Sequence, residues 1–292
     1  MGNGRANNPP KTIITYNNRE RGADFIPAFI EDTAIGVKIN VDIRDKGTWS
    51  STLCLFDPSS GHLLALMDAS VISTLRTGAA GAVAAKYLSN NDANVVGIIG
   101  AGNQGKIQIR ALDVVRPVSE IRIYDIIPDV ARKYEEEVAK EMNREVRAVN
   151  SVEEAVRGAQ IVVTCTTSRQ PFLEAEWLEE GTLVTAIGAS TDPMRELCTS
   201  VLEKADKIVV DSKAQALMSI EMTTPIAEGV LRESDIWAEL GEVVAGQRPG
   251  RQARSERIVF KSTGIGVHDV STAMIAYKKA NERAIGTNIT LN

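Results

Sequence analysis

Alternating apolar and polar residues and short apolar runs in the first part of the chain predict a β-sheet. The clearest example is Ala34–Ile43. One face of this strand carries Ile35, Val37, Ile39, Val41 and Ile43, and the other carries Gly36, Lys38, Asn40 and Asp42. Two more apolar runs, Ser51–Phe56 and His62–Met67, are joined by the turn-rich Asp57–Gly61, which is typical of a hairpin. Lys11–Tyr16 and Asp24–Ile30 are further strand candidates, so we expect a mostly antiparallel sheet.

The rest of the chain has a different pattern of apolar and polar residues. An alanine-rich segment, Ala69–Asn91, has helical spacing, and after it short apolar runs alternate with helical ones. The predicted strands are Asn94–Ile99, Glu120–Asp125, a short run near Val146, Ile161–Thr166, Leu183–Gly188, Lys207–Asp211 and Arg257–Gly266. Alternation of this kind predicts a parallel sheet covered by helices on both faces. A final helix is expected over residues 268–284.

A glycine-rich motif follows the first strand of the predicted parallel sheet. The sequence Gly100-Ala101-Gly102-Asn103-Gln104-Gly105 lies between an apolar strand and a helix, which is the context of a dinucleotide-binding loop. Glycine is needed there for the sharp turn, for close approach to a pyrophosphate and for packing of the helix on the sheet. Asp125 ends the next strand and is expected to accept hydrogen bonds from a ribose and to repel a 2′-phosphate, which favours NAD over NADP. The alternative is that Asp125 caps the helix that starts near Pro128.

Composition narrows the possible classes of protein. The 292 residues are 43% hydrophobic and carry 33 basic against 38 acidic residues, so a nucleic-acid-binding role is not expected. No apolar stretch is long enough to span a membrane. Three unpatterned cysteines suggest free thiols in a reducing compartment, and two histidines leave little for a metal site. We expect a cytoplasmic protein without a metal, a nucleic-acid partner or a membrane partner.

Several short motifs together resemble the ornithine cyclodeaminase/mu-crystallin family. They are Leu75–Ala80, Ala84–Leu88, the glycine motif, Ala186–Ser190, Arg195–Leu197, Glu239–Gly246 and Lys261–Gly264. The resemblance runs from about Pro10 to the C-terminus. It implies an α/β fold in which a Rossmann dinucleotide-binding domain is inserted in an α+β substrate and dimerisation domain. We place the Rossmann domain at residues 91–264 and the substrate and dimerisation domain at residues 1–90 and 265–292. It also implies NAD(P)-linked chemistry at the α-carbon of an amino or imino acid.

The resemblance assigns roles to individual residues. Lys11, Lys38 and Arg76 match basic residues around the substrate carboxylate and the reacting nitrogen, and Ser262 and Thr263 match a loop near the nicotinamide. From the residues alone, Lys38 lies on the polar face of its strand and fits either a cleft or a solvated surface. Arg76, in a small apolar helix, either meets an anion or pairs with an acid such as Asp68. The full cofactor set that we predict is Gly100, Ala101, Gly102, Asn103, Gln104, Gly105, Asp125, Thr166, Ser190 and Thr263.

Two departures from the family pattern bear on the reaction. Where cyclodeaminating members have a catalytic aspartate, this chain has Ser190, as ketimine reductases of the mu-crystallin type do. Asp192 is the nearby carboxylate, and together with Lys38 it is our candidate catalytic residue. Asp24 stands where an arginine is expected before Pro27.

The resulting hypothesis is an NAD(H)-dependent reductase of α-imino acids, or an amino acid dehydrogenase in the reverse direction. Arg76 and Lys11, with Ser262, are expected to bind the substrate, and Lys38 or a water to supply the proton. Ornithine cyclodeamination with recycled NAD, and a non-enzymatic ligand-binding role like that of mu-crystallin, are the alternatives. The sheet over residues 12–67 has more apolar surface than the helix 69–88 can cover, so we expect a homodimer.

Overall fold

The computed structural model describes residues 2–16, 21–43, 46–190 and 193–289. The strands are β1 (Ala6–Asn7), β2 (Thr12–Tyr16), β3 (Arg21–Ile30), β4 (Ala34–Ile43), β5 (Thr48–Phe56), β6 (Leu63–Asp68), β7 (Val95–Ile99), β8 (Glu120–Tyr124), β9 (Glu145–Ala148), β10 (Ile161–Thr164), β11 (Leu183–Ala186), β12 (Lys207–Val210), β13 (Ile236–Glu239) and β14 (Ile258–Lys261). The α-helices are α1 (Ser70–Leu88), α2 (Asn103–Val115), α3 (Pro128–Met142), α4 (Val152–Val156), α5 (Thr199–Glu203), α6 (Lys213–Ala216), α7 (Ile220–Ala227), α8 (Leu240–Val244) and α9 (Gly266–Glu282).

The chain divides into two compact units. The antiparallel unit contains Asn3–Arg76 and Ile265–Asn292, and the parallel unit contains Thr77–Gly264. Together they give the predicted α/β fold class, an antiparallel sheet in one unit and a parallel sheet in the other. No helix among the described residues is long and apolar enough to cross a membrane.

The antiparallel unit is a sheet with a helix on one face. Its strand order is β1-β3-β4-β5-β6, with β2 also pairing with β3. The closing helix α9 packs on the sheet through Val270, Ala273 and Met274, which join buried residues of β3, β4 and β5 in one apolar core. Close approach of α9 depends on Gly36, because a Cβ at this position would lie 2.6 Å from a methyl group of Val270.

The two rows of β4 have different surroundings. Ala34, Gly36 and Lys38 are buried, whereas Ile35 is exposed. The row that contains Lys38 therefore forms the inner face of the sheet, under α9, and the apolar row lies on the outer face. This arrangement puts a lysine in the core of the unit and leaves aliphatic side chains on the outer face.

The parallel unit is a doubly wound sheet. The strand order is β13-β12-β14-β11-β10-β7-β8-β9, and the strand pairs are parallel. Buried apolar side chains form one core on each face of this sheet. The order reverses between β7 and β10, so the loops after these strands lie at the switch point where open α/β sheets bind ligands.

Candidate active site

Lys38 is the buried cation at the centre of the antiparallel unit. Lys38 is only 1% exposed because it lies on the inner row of β4. Its Nζ donates hydrogen bonds to Asp269 Oδ1 at 2.8 Å and to Ser73 Oγ at 3.1 Å. Asp269 is on the first turn of α9 and Ser73 on the first turns of α1. Three elements that are distant in the sequence therefore fix this one amine.

Arg76 shares the carboxylate oxygen that Lys38 binds. Its Nε lies 2.9 Å from Asp269 Oδ1, and the side chains of the two residues are 12% and 0% exposed. The contact is an ion pair without the alignment of a hydrogen bond, and Asp269 Oδ2 is buried without a hydrogen-bond partner among the described residues. Both observations indicate a carboxylate and a guanidinium that still have hydrogen-bonding capacity for a ligand.

The surroundings of Lys38 change its acidity. Burial, followed by the positive charge of Arg76, lowers the pKa of Lys38 to about 8, while Asp269 raises it and Lys11 lowers it further. A buried amine with a pKa near neutrality carries a proton at pH 7 and can give it up during a reaction. A pKa in this range suits a group that transfers a proton during a reaction.

Lys11 is the third cation of this group. It is 9% exposed and immediately precedes β2, whose first residue, Thr12, is paired with Phe25 of β3. Continued by one residue, this register places Lys11 beside Ile26, which is paired with Lys38 on its other side. Two predicted site cations, Lys38 and Arg76, thus contact a single carboxylate, Asp269, and the third, Lys11, lies near enough to Lys38 to lower its pKa. Three cations with one acid favour the binding of an anion such as a carboxylate.

Sequence reasoning missed Asp269. Arg76 was expected to meet a ligand anion or an acid such as Asp68, but Asp68 instead accepts a hydrogen bond from the backbone N–H of Ser70 at the start of α1. The acid that pairs with Arg76 is Asp269 in the closing helix α9. The two residues are so far apart in the sequence that no sequence pattern predicts their contact. The only available signal was a polar residue among the small and apolar positions at the start of that helix.

The glycine motif in the parallel unit forms the expected strand–loop–helix turn. Gly100 has φ +108°, a conformation that other residues rarely adopt, and a Cβ at Gly105 would lie 2.3 Å from the carbonyl oxygen of Gly100. A Cβ at Gly102 would meet no atom within 4 Å, which leaves open space beside the loop. Gly102 also provides no side-chain cap for α2. The loop therefore fits a pyrophosphate, which would take the uncapped N–H groups at the start of α2.

Asp125 follows β8 and lies next to this loop. Its Oδ2 accepts a hydrogen bond from Ala101 N at 2.8 Å, and its Oδ1 accepts one from Ile127 N at 2.9 Å. The second bond goes to Ile127, the residue before α3, and α3 has no side-chain capping hydrogen bond, so Asp125 does not cap this helix. The first bond ties Asp125 to the glycine loop, which is where a ribose-binding carboxylate is expected in a Rossmann domain.

The loop after β14 contains Ser262 and Thr263, and a buried acid organises it. Asp211 Oδ2 accepts hydrogen bonds from Ser262 Oγ, Thr263 N and Gly264 N, at 2.9, 2.8 and 2.7 Å. Thr263 Oγ1 donates to Asp211 Oδ1 and accepts from Gln215 Nε2, both at 3.1 Å. The hydroxyl groups of Ser262 and Thr263 therefore donate their protons to Asp211. Toward a ligand, these two hydroxyl oxygens can only accept hydrogen bonds. Asp211 was not predicted from the sequence.

A second buried acid organises the loops after β10 and β11, where Thr166 and Ser190 lie. Glu196 Oε1 accepts hydrogen bonds from the N–H and the hydroxyl of Thr166, at 2.6 and 2.9 Å. Its Oε2 accepts from Gly188 N at 2.9 Å and Ala189 N at 3.3 Å, next to Ser190. Burial raises the pKa of Glu196, and the nearby Glu221 raises it further. Thr166 and Ser190 therefore lie on loops that one carboxylate connects, whereas Asp192 lies outside the described residues.

Comparison with known proteins agrees with this fold. The family model described as ornithine cyclodeaminase/mu-crystallin family matches residues 1–284. The chain belongs to this family.

Three relatives illustrate the range of the similarity. The alanine dehydrogenase of Archaeoglobus fulgidus is 38% identical over 292 residues, 98% of this chain and 88% of the relative. The structure of Thermococcus litoralis Delta(1)-pyrroline-2-carboxylate reductase in complex with NADH and L-proline has a TM-score of 0.93 at 38% identity, covering 98% of this chain and 91% of that one. An archaeal alanine dehydrogenase dimer with bound NAD also has a TM-score of 0.93, at 35% identity, covering 99% and 90%.

Proposed function

We propose that this protein catalyses the NAD(H)-dependent reduction of an α-imino acid, or the reverse oxidation of an α-amino acid. The observation that carries the proposal is the buried contact of Lys38 and Arg76 with one oxygen of Asp269, 2.8 and 2.9 Å away. Alanine dehydrogenases and a pyrroline-2-carboxylate reductase among the relatives act on substrates of this class. Both types of substrate carry a carboxylate next to the carbon that reacts.

The residues of the antiparallel unit have distinct roles in this proposal. Arg76 and Lys11 hold the α-carboxylate, since a guanidinium offers two parallel donors to such a group. Lys38 donates the proton that the nitrogen gains when the C=N bond becomes CH–NH. Asp269 keeps Lys38 charged and oriented, because its negative charge opposes the desolvation that lowers the pKa of the amine.

The cofactor is proposed to be NAD(H), which supplies the hydride to the imine carbon when it is bound. Gly100–Gly105 would hold the pyrophosphate, and Asp125 the adenosine ribose. Thr166, Ser190 and Thr263 are proposed to contact the nicotinamide end. Ser262 remains a proposed substrate contact, as a hydrogen-bond acceptor only, because its proton is bound to Asp211.

Ornithine cyclodeamination is the less favoured reaction, because Ser190 has no carboxylate to act as a base. Asp192 remains a candidate for that role. A purely ligand-binding function is also less favoured, because a lysine whose pKa is lowered to about 8 suits proton transfer better than passive binding.

The proposal is tested with a panel of imino acids, both cyclic and formed from 2-oxo acids and ammonia, by following the consumption of NADH. Oxidation of the corresponding amino acids with NAD⁺ gives the reverse reaction. Turnover of at least one imino acid that the Lys38→Ala variant loses, with NADH binding retained, supports the proposal. Binding of NADH without turnover of any member of the panel would favour the ligand-binding alternative.

We further propose a homodimer formed through the outer face of the antiparallel sheet. Ile14, Phe29, Ile35 and Leu66 lie on this face by strand register and are 57%, 40%, 36% and 63% exposed. A continuous apolar surface of this kind normally marks a protein interface. The archaeal alanine dehydrogenase relative is described as a dimer, which supports a second copy of the chain as the partner.

We propose a substrate and dimerisation domain at residues 1–90 and 265–292 and a dinucleotide-binding domain at residues 91–264. We also propose a cytoplasmic location. The three cysteines, Cys54, Cys165 and Cys198, are free thiols, which suits a reducing compartment.

A further inference from the structure

Three fully buried charged residues form a cluster in the parallel unit, Glu196, Glu221 and Lys261, and each of them is 0% exposed. Glu221 Oε1 accepts hydrogen bonds from the backbone N–H groups of Glu196 and Leu197, at 2.7 and 2.8 Å. Its other oxygen, Oε2, lies 2.6 Å from Lys261 Nζ. Lys261 also donates to the carbonyl oxygen of Ala189 at 2.7 Å. The charge cluster therefore ties α7 and β14 to the loop after β11.

The two acids of the charge cluster are balanced by only one cation. In addition to its four hydrogen bonds with the loops, Glu196 accepts one from Thr164 Oγ1 at 2.8 Å. Each of its oxygens accepts from a backbone N–H and from a hydroxyl, which stabilises the carboxylate ion and leaves no position for a proton. Glu221 and Lys261 form an ion pair, and the described residues contain no other ion pair of either acid. One negative charge of the cluster thus remains unbalanced.

The charge cluster lies at the end of the parallel sheet where the cofactor loops begin. The strand register places Lys261, Ala186 and Thr164 side by side on β14, β11 and β10, and it places Thr164 beside Ile99 on β7. Adjacent strands are about 4.7–4.9 Å apart. Ile99 immediately precedes Gly100, so this row of residues ends at the glycine loop. Open α/β sheets bind their ligands at this carboxyl end of the strands.

The negative charge of Glu196 acts on groups next to the glycine loop. The thiol of Cys165 donates a hydrogen bond to the carbonyl oxygen of Gly100 at 3.2 Å. Burial raises the pKa of this thiol, and the charge of Glu196 raises it further. Water does not screen a charge that is fully buried, so its effect extends farther than that of a surface acid. A cationic group bound at these loops is therefore attracted by the cluster.

We propose that the unbalanced charge of this cluster stabilises the cationic nicotinamide ring of NAD⁺ relative to the neutral ring of NADH, and so lowers the reduction potential of the bound couple. The inference rests on the proposed function in one respect, because it takes Thr166 and Ser190 as contacts of the nicotinamide end. Glu196 holds the loops of both residues.

A lower potential of the bound couple favours the reduction of an imine. In this step a hydride, with its two electrons, leaves the dihydronicotinamide ring and bonds to the imine carbon, and the imine nitrogen takes a proton from Lys38. The ring gains a positive charge as the hydride leaves. A fixed negative charge beside the site where positive charge develops stabilises both the transition state and the product NAD⁺.

The test on the unmodified protein compares NAD⁺ with benzamide adenine dinucleotide, in which an uncharged benzene ring replaces the pyridinium ring. Both dissociation constants are measured by calorimetry without an amino acid, so that no turnover occurs. We expect NAD⁺ to bind at least about ten-fold more tightly, as one unbalanced charge at short range in a protein interior produces. Equal binding of the two ligands, or tighter binding of the uncharged one, would overturn the inference.

Two variants remove the unbalanced charge. Glu221→Gln keeps an oxygen for the backbone N–H groups of Glu196 and Leu197 and leaves Lys261 to balance Glu196. Glu196→Gln removes the charge directly, at a greater cost to the loops that it holds. Each variant should reduce the preference for NAD⁺ over the uncharged analogue about ten-fold, and Glu221→Gln should change the affinity for NADH little. A ten-fold change in the ratio of the NAD⁺ and NADH dissociation constants raises the potential of this two-electron couple by about 30 mV.

Thr164→Val is the matched control, because it removes one hydrogen bond of Glu196 and keeps the charge and the branched shape of the side chain. It should leave the preference for NAD⁺ over the uncharged analogue unchanged. An equal loss of both ligands in Glu221→Gln would show that the cluster only holds the loops in place, and the proposed effect on the cofactor would be wrong.

Failure of the proposed function has a different signature. Absence of turnover with every imino acid contradicts the enzymatic function, while a preference for NAD⁺ that Glu221→Gln reduces would still support the role of the charge cluster. Absence of binding of both NAD⁺ and its analogue would overturn the cluster's role together with the cofactor site.

Discussion

Lys38 Nζ lies 2.8 Å from Asp269 Oδ1, although 231 positions separate the two residues in the sequence. The contact joins the inner row of β4 to the first turn of α9, and it connects a proposed proton donor to the charge that maintains its proton. Burial and the cations Arg76 and Lys11 lower the pKa of Lys38, and Asp269 opposes them. The balance of these effects leaves the pKa of the amine at about 8.

The activity should depend on pH in a way that this pair controls. Reduction needs protonated Lys38, so kcat/KM for the imino acid should fall as the pH rises through about 8, and oxidation should show the opposite trend. In Asp269→Asn the carboxylate no longer raises the pKa of Lys38, so the fall in reduction should move to lower pH. Profiles of kcat/KM against pH for both proteins measure this shift. Identical profiles would show that Lys38 is not the titrating group.

Arg76 should matter for catalysis more than for cofactor binding. If it holds the substrate carboxylate, Arg76→Ala removes a contact of about 1.5–3 kcal/mol, which is at least about ten-fold in kcat/KM. NADH affinity should change little, and Arg76→Lys should recover only part of the activity because an ammonium lacks the planar fork. Kinetics, NADH binding and Tm are measured on the same variants. A lower Tm with unchanged kinetics would instead identify Arg76 as a structural partner of Asp269.

Asp125 should set the preference between the two nucleotides. Its carboxylate favours a free ribose and repels a 2′-phosphate, so NADH should bind more tightly than NADPH. Asp125→Ser should narrow this difference, and it should also weaken NADH because Asp125 holds Ala101 N and Ile127 N. Asp129→Ser, which removes an exposed acid on the first turn of α3, is the control and should change neither affinity. Tighter binding of NADPH by the unmodified protein would contradict the assignment.

The sequence predicted the elements well where the pattern is strong and local. β4 has the predicted bounds, Ala34–Ile43, and α9 (Gly266–Glu282) begins and ends within two residues of the helix predicted over residues 268–284. Less regular segments were missed, such as β13 and the short helices α5 to α8. Their apolar residues are too few to show a period, and their formation depends on packing against the parallel sheet.

The candidate site shows a different limit of sequence reasoning. Alternation in β4 defines two faces but does not say which of them a helix covers, and here the covered face is the one with Lys38. Asp269 and Asp211 are both missed for a related reason. Each acts on residues that come from other elements, and only the tertiary fold brings the partners together.

Asp211 should be needed to keep the loop after β14 in place. Asp211→Asn puts an amide N–H₂ against the donors of Ser262, Thr263 and Gly264, so we expect a lower Tm and at least about a ten-fold loss of kcat/KM. Ser262→Ala removes only one of these hydrogen bonds and should cost a few-fold. Thermal unfolding and steady-state kinetics on both variants test this order. A larger effect of Ser262→Ala would mean that Ser262 contacts the substrate more strongly than its bond to Asp211 suggests.

Assembly through the outer face of the antiparallel sheet should depend on its aliphatic residues. Ile35 is 36% exposed on this face, and a charge placed there would be buried without a partner in a dimer. Ile35→Asp should therefore shift the protein from dimer to monomer in light scattering at micromolar concentration. Val114→Asp changes another exposed residue, which is 84% exposed on α2 of the parallel unit, and should leave the dimer intact. If the unmodified protein is already a monomer, or if Val114→Asp dissociates it and Ile35→Asp does not, the outer face is not the interface.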